Sequence, residues 1–324
     1  ASARDAASKG RIAEIVASGD MEGKAGSTLR LHKLPGVAAD RVLLVGLGKE
    51  KEFGIREYRD AIANIVRALR DTGATDAIST LTDIAPRKKG ASWALRQAAT
   101  VSLDVLYRYD THARHKPDES RALAKMAFIA PKKTSAAAAS EALAQGEAIG
   151  HGMALSRTLG NLPPNICNPA YLAEQAKKLA AEHSDVACEI LEREDMARLG
   201  MGSLLGVAQG SANPPKLIVL RWNGNGEAAP YALVGKGITF DTGGISLKPG
   251  EGMEVMKFDM CGAAGMLGTF LAAVKMRLPL NLVCVVAAVE NMPDGNSYRP
   301  SDVLTSLSGL TIEVLNTDAE GRLI

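Results

Sequence analysis

Along nearly the whole chain, short apolar runs with strand character alternate with segments of helical period, and this alternation limits the fold more than any other feature. Thr28–His32 and Arg41–Val45 read as strands, the second closing on Gly46-Leu47-Gly48. In residues 57–70, Tyr58, Ile62, Ile65, Val66 and Leu69 fall on one helical stripe. Residues 77–81 and 125–130 read as strands, and 93–108 as an amphipathic helix. The pattern resumes downstream, with helices predicted over 171–183, 194–199 and 262–275. Strands are predicted over 187–191, 216–221, 231–234, 281–289 and 311–315. The two strands 216–221 and 231–234 carry few charges and are expected to be buried. Strand and helix in turn imply an α/β protein whose sheets are mostly parallel or mixed and flanked by helices.

At 324 residues the chain exceeds the roughly 100–200 residues of one domain, and the pattern divides it in two. Residues 135–158 are Ala-rich and free of proline, and Gly160 follows as a C-cap. We read 1–134 as an N-terminal α/β domain, 135–160 as a linker helix and 161–324 as a second α/β domain. The linker runs into 161–169 (NLPPNICNP), where three prolines exclude a helix. Residues 1–18 also look helical. No run approaches 18 apolar residues, so no membrane partner is expected. The net charge of +2 gives no electrostatic case for nucleic acid. Cys167, Cys188, Cys261 and Cys284 are scattered without a CxxC pair, which favours a reduced, cytoplasmic setting. Cys261 has no histidine near it in sequence and is read as packing.

Several chemistries can be set aside. There is no GxSxG nucleophile elbow, no HExxH and no GxxxxGK[ST]. None of the five histidines (His32, His112, His115, His151, His183) pairs at metal-ligand spacing. The Gly46-Leu47-Gly48 turn is a weak nucleotide signal and reads as a tight strand end. Two stretches remain. The first is 234–265, VGKGITFDTGGISLKPGEGMEVMKFDMCGAAG, where a buried strand gives way to glycines and to Lys236, Asp241, Lys248 and Asp259. Charges leaving a buried strand must be paired or bind metal, because burying a bare charge is costly. The second is 316–322, NTDAEGR, which in extended chain would put Asp318, Glu320 and Arg322 on one side. If the four carboxylates converged, two divalent cations would neutralise them, and such oxygen-rich ligation suits zinc, manganese, magnesium or cobalt.

Together these residues resemble the leucyl (cytosol) aminopeptidases of bacterial type. The run NTDAEGRL is that family's hallmark, and VGKGITFDTGGISLKP followed by MKFDMCGAA is similar to its other active-site segment. NLPPNICNP and ENMPDGNSYRPSDVL also look like family segments. The resemblance implies a metal-dependent aminopeptidase that removes Leu-like residues from peptides with a free N-terminus. It implies two metal ions, manganese or zinc. One would be held by Lys236, Asp241, Asp259 and Glu320. The other would be held by Asp241, by Glu320, and by Asp318 through its carboxylate and main-chain carbonyl. Lys248 and Arg322 would be catalytic, with Arg322 holding bicarbonate. Met256, Lys248 and Asp259 would contact substrate. A homohexamer is implied as well.

A second reading keeps the fold and discards the catalysis, leaving a DNA-binding or scaffolding oligomer. A two-metal phosphatase or nuclease is a third, but such sites use histidines and neither stretch contains one. The resemblance also implies that the family continues beyond Ile324, and the chain does not begin with Met. The expectation is therefore an incomplete catalytic domain, prone to aggregate and weakly active if produced as these residues alone.

Overall fold

A computed structural model describes residues 2–111 and 123–324, so His112 and His115 lie outside the described residues. The chain is a mixed α/β protein in two compact units, residues 1–150 and 151–324.

In the first unit, helices α1 (Ser2–Ala7) and α2 (Arg11–Ala17) replace the single helix expected over 1–18. Gly10 takes a left-handed φ of 82° and breaks the run. Strands β1 (Thr28–His32) and β2 (Arg41–Val45) pair antiparallel, with Thr28 opposite Val45. After α3 (Ile55–Arg70) come β3 (Asp76–Ser79), α4 (Ala91–Leu106) and β4 (Lys125–Phe128). Strands β3 and β4 are parallel, so this unit holds two separate two-stranded pairs among the described residues. Its core lies where α3 meets α4: Tyr58, Ile62, Ile65 and Val66 of the predicted stripe are buried with Ala94, Ala98 and Val101. The Tyr58 hydroxyl, inside that core, donates to the Ala94 carbonyl at 3.0 Å.

Helix α5 (Ala136–Asn161) occupies the stretch read as a linker, and the division between the units falls within it. In the second unit Asn168 caps α6 (Pro169–Glu182), its side chain accepting from Tyr171 N at 3.0 Å with Pro169 in the first turn. Strand β5 (Val186–Leu191), helices α7 (Arg193–Leu199) and α8 (Gly202–Val207), and strand β6 (Lys216–Asn223) follow. Then come β7 (Tyr231–Asp241), α9 (Cys261–Lys275) and β8 (Asn281–Asn291), and finally the hairpin of β9 (Val303–Thr305) and β10 (Thr311–Glu313).

The main sheet runs β5-β6-β8-β7, antiparallel except for the parallel pair β7 and β8. Strand β7 is seven residues longer than its expected 231–234 and lies at the edge of the sheet. Its first residues, expected to be buried, are therefore open, with Tyr231 67% and Val234 72% exposed. Met253–Lys275 has the length and composition of a membrane span. It is instead a 3-10 turn (Met253–Met260) followed by α9, whose Ala263, Leu267, Phe270 and Val274 are buried. Helix α9 also meets α5 at backbone distance. A Cβ on Gly152 would stand 2.3 Å from the Gly268 carbonyl oxygen, and the Ser156 hydroxyl donates to the Ala264 carbonyl at 2.8 Å.

Candidate metal centre

The site forms where β7 ends. Strands β7 and β8 stay in parallel register up to Ile238; after an irregularity Asp241 pairs with Asn291, so the last residues of the two strands lie side by side. Beyond Asp241, Gly243 (φ 85°) and Gly244 (φ 66°) turn the chain back in conformations that other residues rarely adopt. The Lys248 amide then donates to the Thr242 carbonyl at 2.9 Å.

The other acidic segment differs from its expected form. Residues Thr317–Arg322 make a 3-10 turn, started by the Asn316 side chain accepting from Asp318 N at 2.8 Å. The turn separates residues that extended chain would align. Glu320 goes inward at 2% exposure, while Asp318 and Arg322 are exposed. Thr317 fastens this turn to the glycine loop. Its hydroxyl donates to the Gly243 carbonyl at 2.6 Å and accepts from Ser246 N at 2.8 Å.

Six of the residues singled out by sequence come together. The Lys236 ammonium lies 2.9 Å from Asp259 Oδ1 and 2.8 Å from Glu320 Oε1. The Lys248 ammonium lies 2.9 Å from Asp241 Oδ2 and also pairs with Asp318. Asp241, Asp259 and Glu320 each offer an oxygen, all within 4.8 Å of one another. Met256 is half-buried on the 3-10 turn that carries Asp259. Arg322 makes no hydrogen bond or ion pair to the cluster among the described residues. Cys261 is exposed rather than packed, because it opens α9 immediately beyond that turn.

The electrostatics are those of an under-neutralised cluster. Burial raises the Asp259 pKa, and the charges of Asp241 and Glu320 add to the rise, although Lys236 opposes it. For Lys236 burial pulls the other way, but hydrogen bonds to Glu320 and Asp259 outweigh it and hold the amine charged. Lys248 is raised likewise, burial again being outweighed, here by Asp318 and Asp241. Four carboxylates face two ammonium groups. Asp259 Oδ2 and Glu320 Oε2 are buried with no hydrogen-bond partner among the described residues. Buried carboxylate oxygens left this way are costly unless a cation meets them. Hard oxygen donors on three or four side chains, with an amine beside them, fit divalent metal ions.

The catalytic-domain pattern of the cytosol aminopeptidase family matches residues 154–324, and the pattern of its N-terminal domain matches residues 1–116. The chain belongs to the cytosol aminopeptidase family. A probable cytosol aminopeptidase of Dechloromonas aromatica (strain RCB) is 56% identical over 321 residues, covering 99% of this chain and 64% of that protein. One of Stenotrophomonas maltophilia (strain K279a) is 54% identical over 324 residues, covering 100% and 65%. The chain thus spans just under two thirds of the length of these relatives. Among solved structures, the bottromycin maturation enzyme BotP in complex with Mn superposes with a TM-score of 0.82 at 31% identity, covering 95% of this chain and 63% of that one.

Two residues of the site were missed from sequence. Thr317 lies inside NTDAEGR but bears no charge to draw notice. Asn291 closes a long apolar strand and donates from Nδ2 to Asp241 Oδ1 at 2.8 Å. Its sequence signals were its place in ENMPDGNSYRPSDVL and an amide just past the strand predicted over 281–289.

Proposed function

We propose that this chain carries the metal centre of an aminopeptidase acting on peptides with a free N-terminus and an apolar, Leu-like first residue. The observation that carries the reading is the meeting of Asp241, Asp259 and Glu320 within 4.8 Å, with carboxylate oxygens buried and unpartnered. Lys236, Asp241, Asp259 and Glu320 would hold one divalent cation, and Asp241, Asp318 and Glu320 a second, manganese or zinc. When bound, these ions supply Lewis-acid polarisation of the scissile carbonyl and acidify the attacking water.

The chain's own residues do the rest. Lys236 is held as an ammonium by Glu320 and Asp259 and must release its proton to serve as a ligand. Lys248 stays charged beside Asp241 and Asp318 and offers a positive group to an oxyanion developing on the substrate. Asp259 is assigned to substrate contact, and Met256, on the same turn, to the first side chain. Arg322 is assigned to bicarbonate and proton handling, and its support is the motif together with an exposed guanidinium fork suited to a planar anion. The protein is read as a cytoplasmic homohexamer, which native mass measurement tests. The alternative DNA-binding or scaffold role draws no support from a net charge of +2.

The test is release of leucine from Leu-p-nitroanilide by the full-length protein with manganese or zinc, against a chelator control. Hydrolysis should need the metal and vanish on the N-acetylated substrate, because acetylation removes the basic amine. Turnover that survives chelation, or efficient cleavage of the acetylated substrate, would overturn the reading.

A further inference from the structure

We infer that Asn291 is a positioning residue for Asp241, its buried amide deciding which carboxylate oxygen faces the cluster. The inference rests on the metal-centre reading above.

Asn291 is fully buried at the end of β8, directly beside Asp241. Its amide donates twice, to Asp241 Oδ1 at 2.8 Å and to the Thr317 carbonyl at 3.0 Å. Both partners can only accept, so the NH2 group must point toward them and the amide has one possible orientation. The amide's own oxygen is left buried without a partner among the described residues.

The consequence falls on Asp241. Its Oδ1 accepts from Asn291 Nδ2 and also from Gly243 N at 2.9 Å. Two neutral donors occupy this oxygen without cancelling the carboxylate's charge. Oδ2 is left toward Lys248, on the side of the cluster. The surroundings accommodate this arrangement closely. A Cβ on Gly244 would stand 2.7 Å from Asn291 Oδ1, so that glycine leaves room for the amide as well as turning the chain. The Asn291 carbonyl accepts from the amide and hydroxyl of Thr242, at 3.0 and 2.9 Å, which ties the strand end to the loop after Asp241. One side chain therefore links the segment bearing Asp241 to the turn bearing Asp318 and Glu320.

Tyr298 supplies the control. Its hydroxyl donates to the same Thr317 carbonyl at 2.7 Å, and it has no hydrogen bond to Asp241. The experiment measures manganese affinity by calorimetry at one pH, and the thermal midpoint of the metal-free protein. It compares full-length wild type, Asn291→Ala, the volume-filling Asn291→Leu, and Tyr298→Phe. Both Asn291 variants should bind manganese about 10–100-fold more weakly, the usual effect of losing a partner that orients a ligand. Tyr298→Phe should lower the midpoint but leave affinity within about twofold, since Asp241 keeps both donors. Unchanged affinity in the Asn291 variants overturns the inference. So does an equal loss in Tyr298→Phe, which would place the effect in the Thr317 turn. Failure of both Asn291 variants to fold would make the residue structural and overturn it too. If wild type binds no manganese, the metal-centre reading falls first and this inference with it.

Discussion

Strands β2 and β7 both run into glycine-rich turns, Gly46-Leu47-Gly48 in the first unit and Gly243-Gly244 in the second, and the two turns use their glycines differently. At the end of β2 the backbone satisfies itself. Gly46 N donates to the Ser27 carbonyl at 2.8 Å, Gly26 N to the Gly46 carbonyl at 3.0 Å, and Gly48 N to the Gly23 carbonyl at 2.9 Å. A cavity of about 330 Å³ lies beside this turn, but the charged groups on its wall are engaged. Arg56 sits 3.6 Å from Asp60, Glu57 accepts from Gly54 N, and Arg67 donates to Asn64. At the end of β7 the loop amides go to side chains, Gly243 N to Asp241 and Gly244 N to Thr242. The carboxylates beyond them keep oxygens without partners. A glycine turn at a strand end is thus only an opening. Unpaired charge in front of it is what marks a site.

The strongest way to break this comparison is Asp241→Asn. It removes a charge that both cation positions are assigned, so metal content after dialysis and hydrolysis of Leu-p-nitroanilide should each fall by more than about 100-fold. Near-normal turnover with metal retained would remove the distinction between the two turns. Gly46→Ala tests the other side. Its Cβ would meet the Lys24 carbonyl oxygen at 2.1 Å, so it should cost about 1–3 kcal/mol in denaturant unfolding and leave manganese affinity unchanged. Loss of manganese binding in that variant would show that the first unit's turn contributes to the site.

The smallest effect concerns acid. Asp195 and Asp302 have lowered pKa values because backbone amides donate to them, those of Glu192 and Arg299 respectively. Their folded values lie below their unfolded ones, so the stability they contribute is present above the ordinary carboxylate range. It is lost as pH falls through the depressed values. Asp259, raised by burial, works in the opposite sense and disfavours the metal-free fold as pH rises through its value. Asp302→Asn should therefore flatten the acid limb of thermal stability slightly, and less in high salt because the group is still partly open to solvent. An unchanged acid limb at low salt would count against that assignment.

Much of the site was legible because charge is conspicuous in an apolar setting. Lys236, Asp241, Lys248 and Asp259 stand out along a glycine-rich strand end, and their spacing matched a known pattern. What escaped depends on partners distant in sequence. The burial of β7 could not be read from Tyr231 to Val234, since it is set by that strand's place at the edge of β5-β6-β8-β7. The turn at 317–322 was read as extended because alternation was the visible signal, whereas the cap from Asn316 decides the local geometry. The α/β alternation gave the elements of the first unit but not the separation of its strands into two pairs. Asn291 could not be distinguished from any polar residue closing a strand until Asp241 stood beside it.

The contact between Gly152 and Gly268 bears on the site from a distance. Helix α9 begins two residues after Asp259, so whatever seats that helix also sets the height of the carboxylate ahead of it. A methyl group at either glycine would press against backbone that cannot give way, within 2.3 Å of a carbonyl oxygen. The helix would have to slide or tilt, and Asp259 would travel with it. The clearance at one helix crossing is in this way the tolerance on a ligand's position, and a lesion there should register as weakened metal binding although no residue of the cluster has been altered.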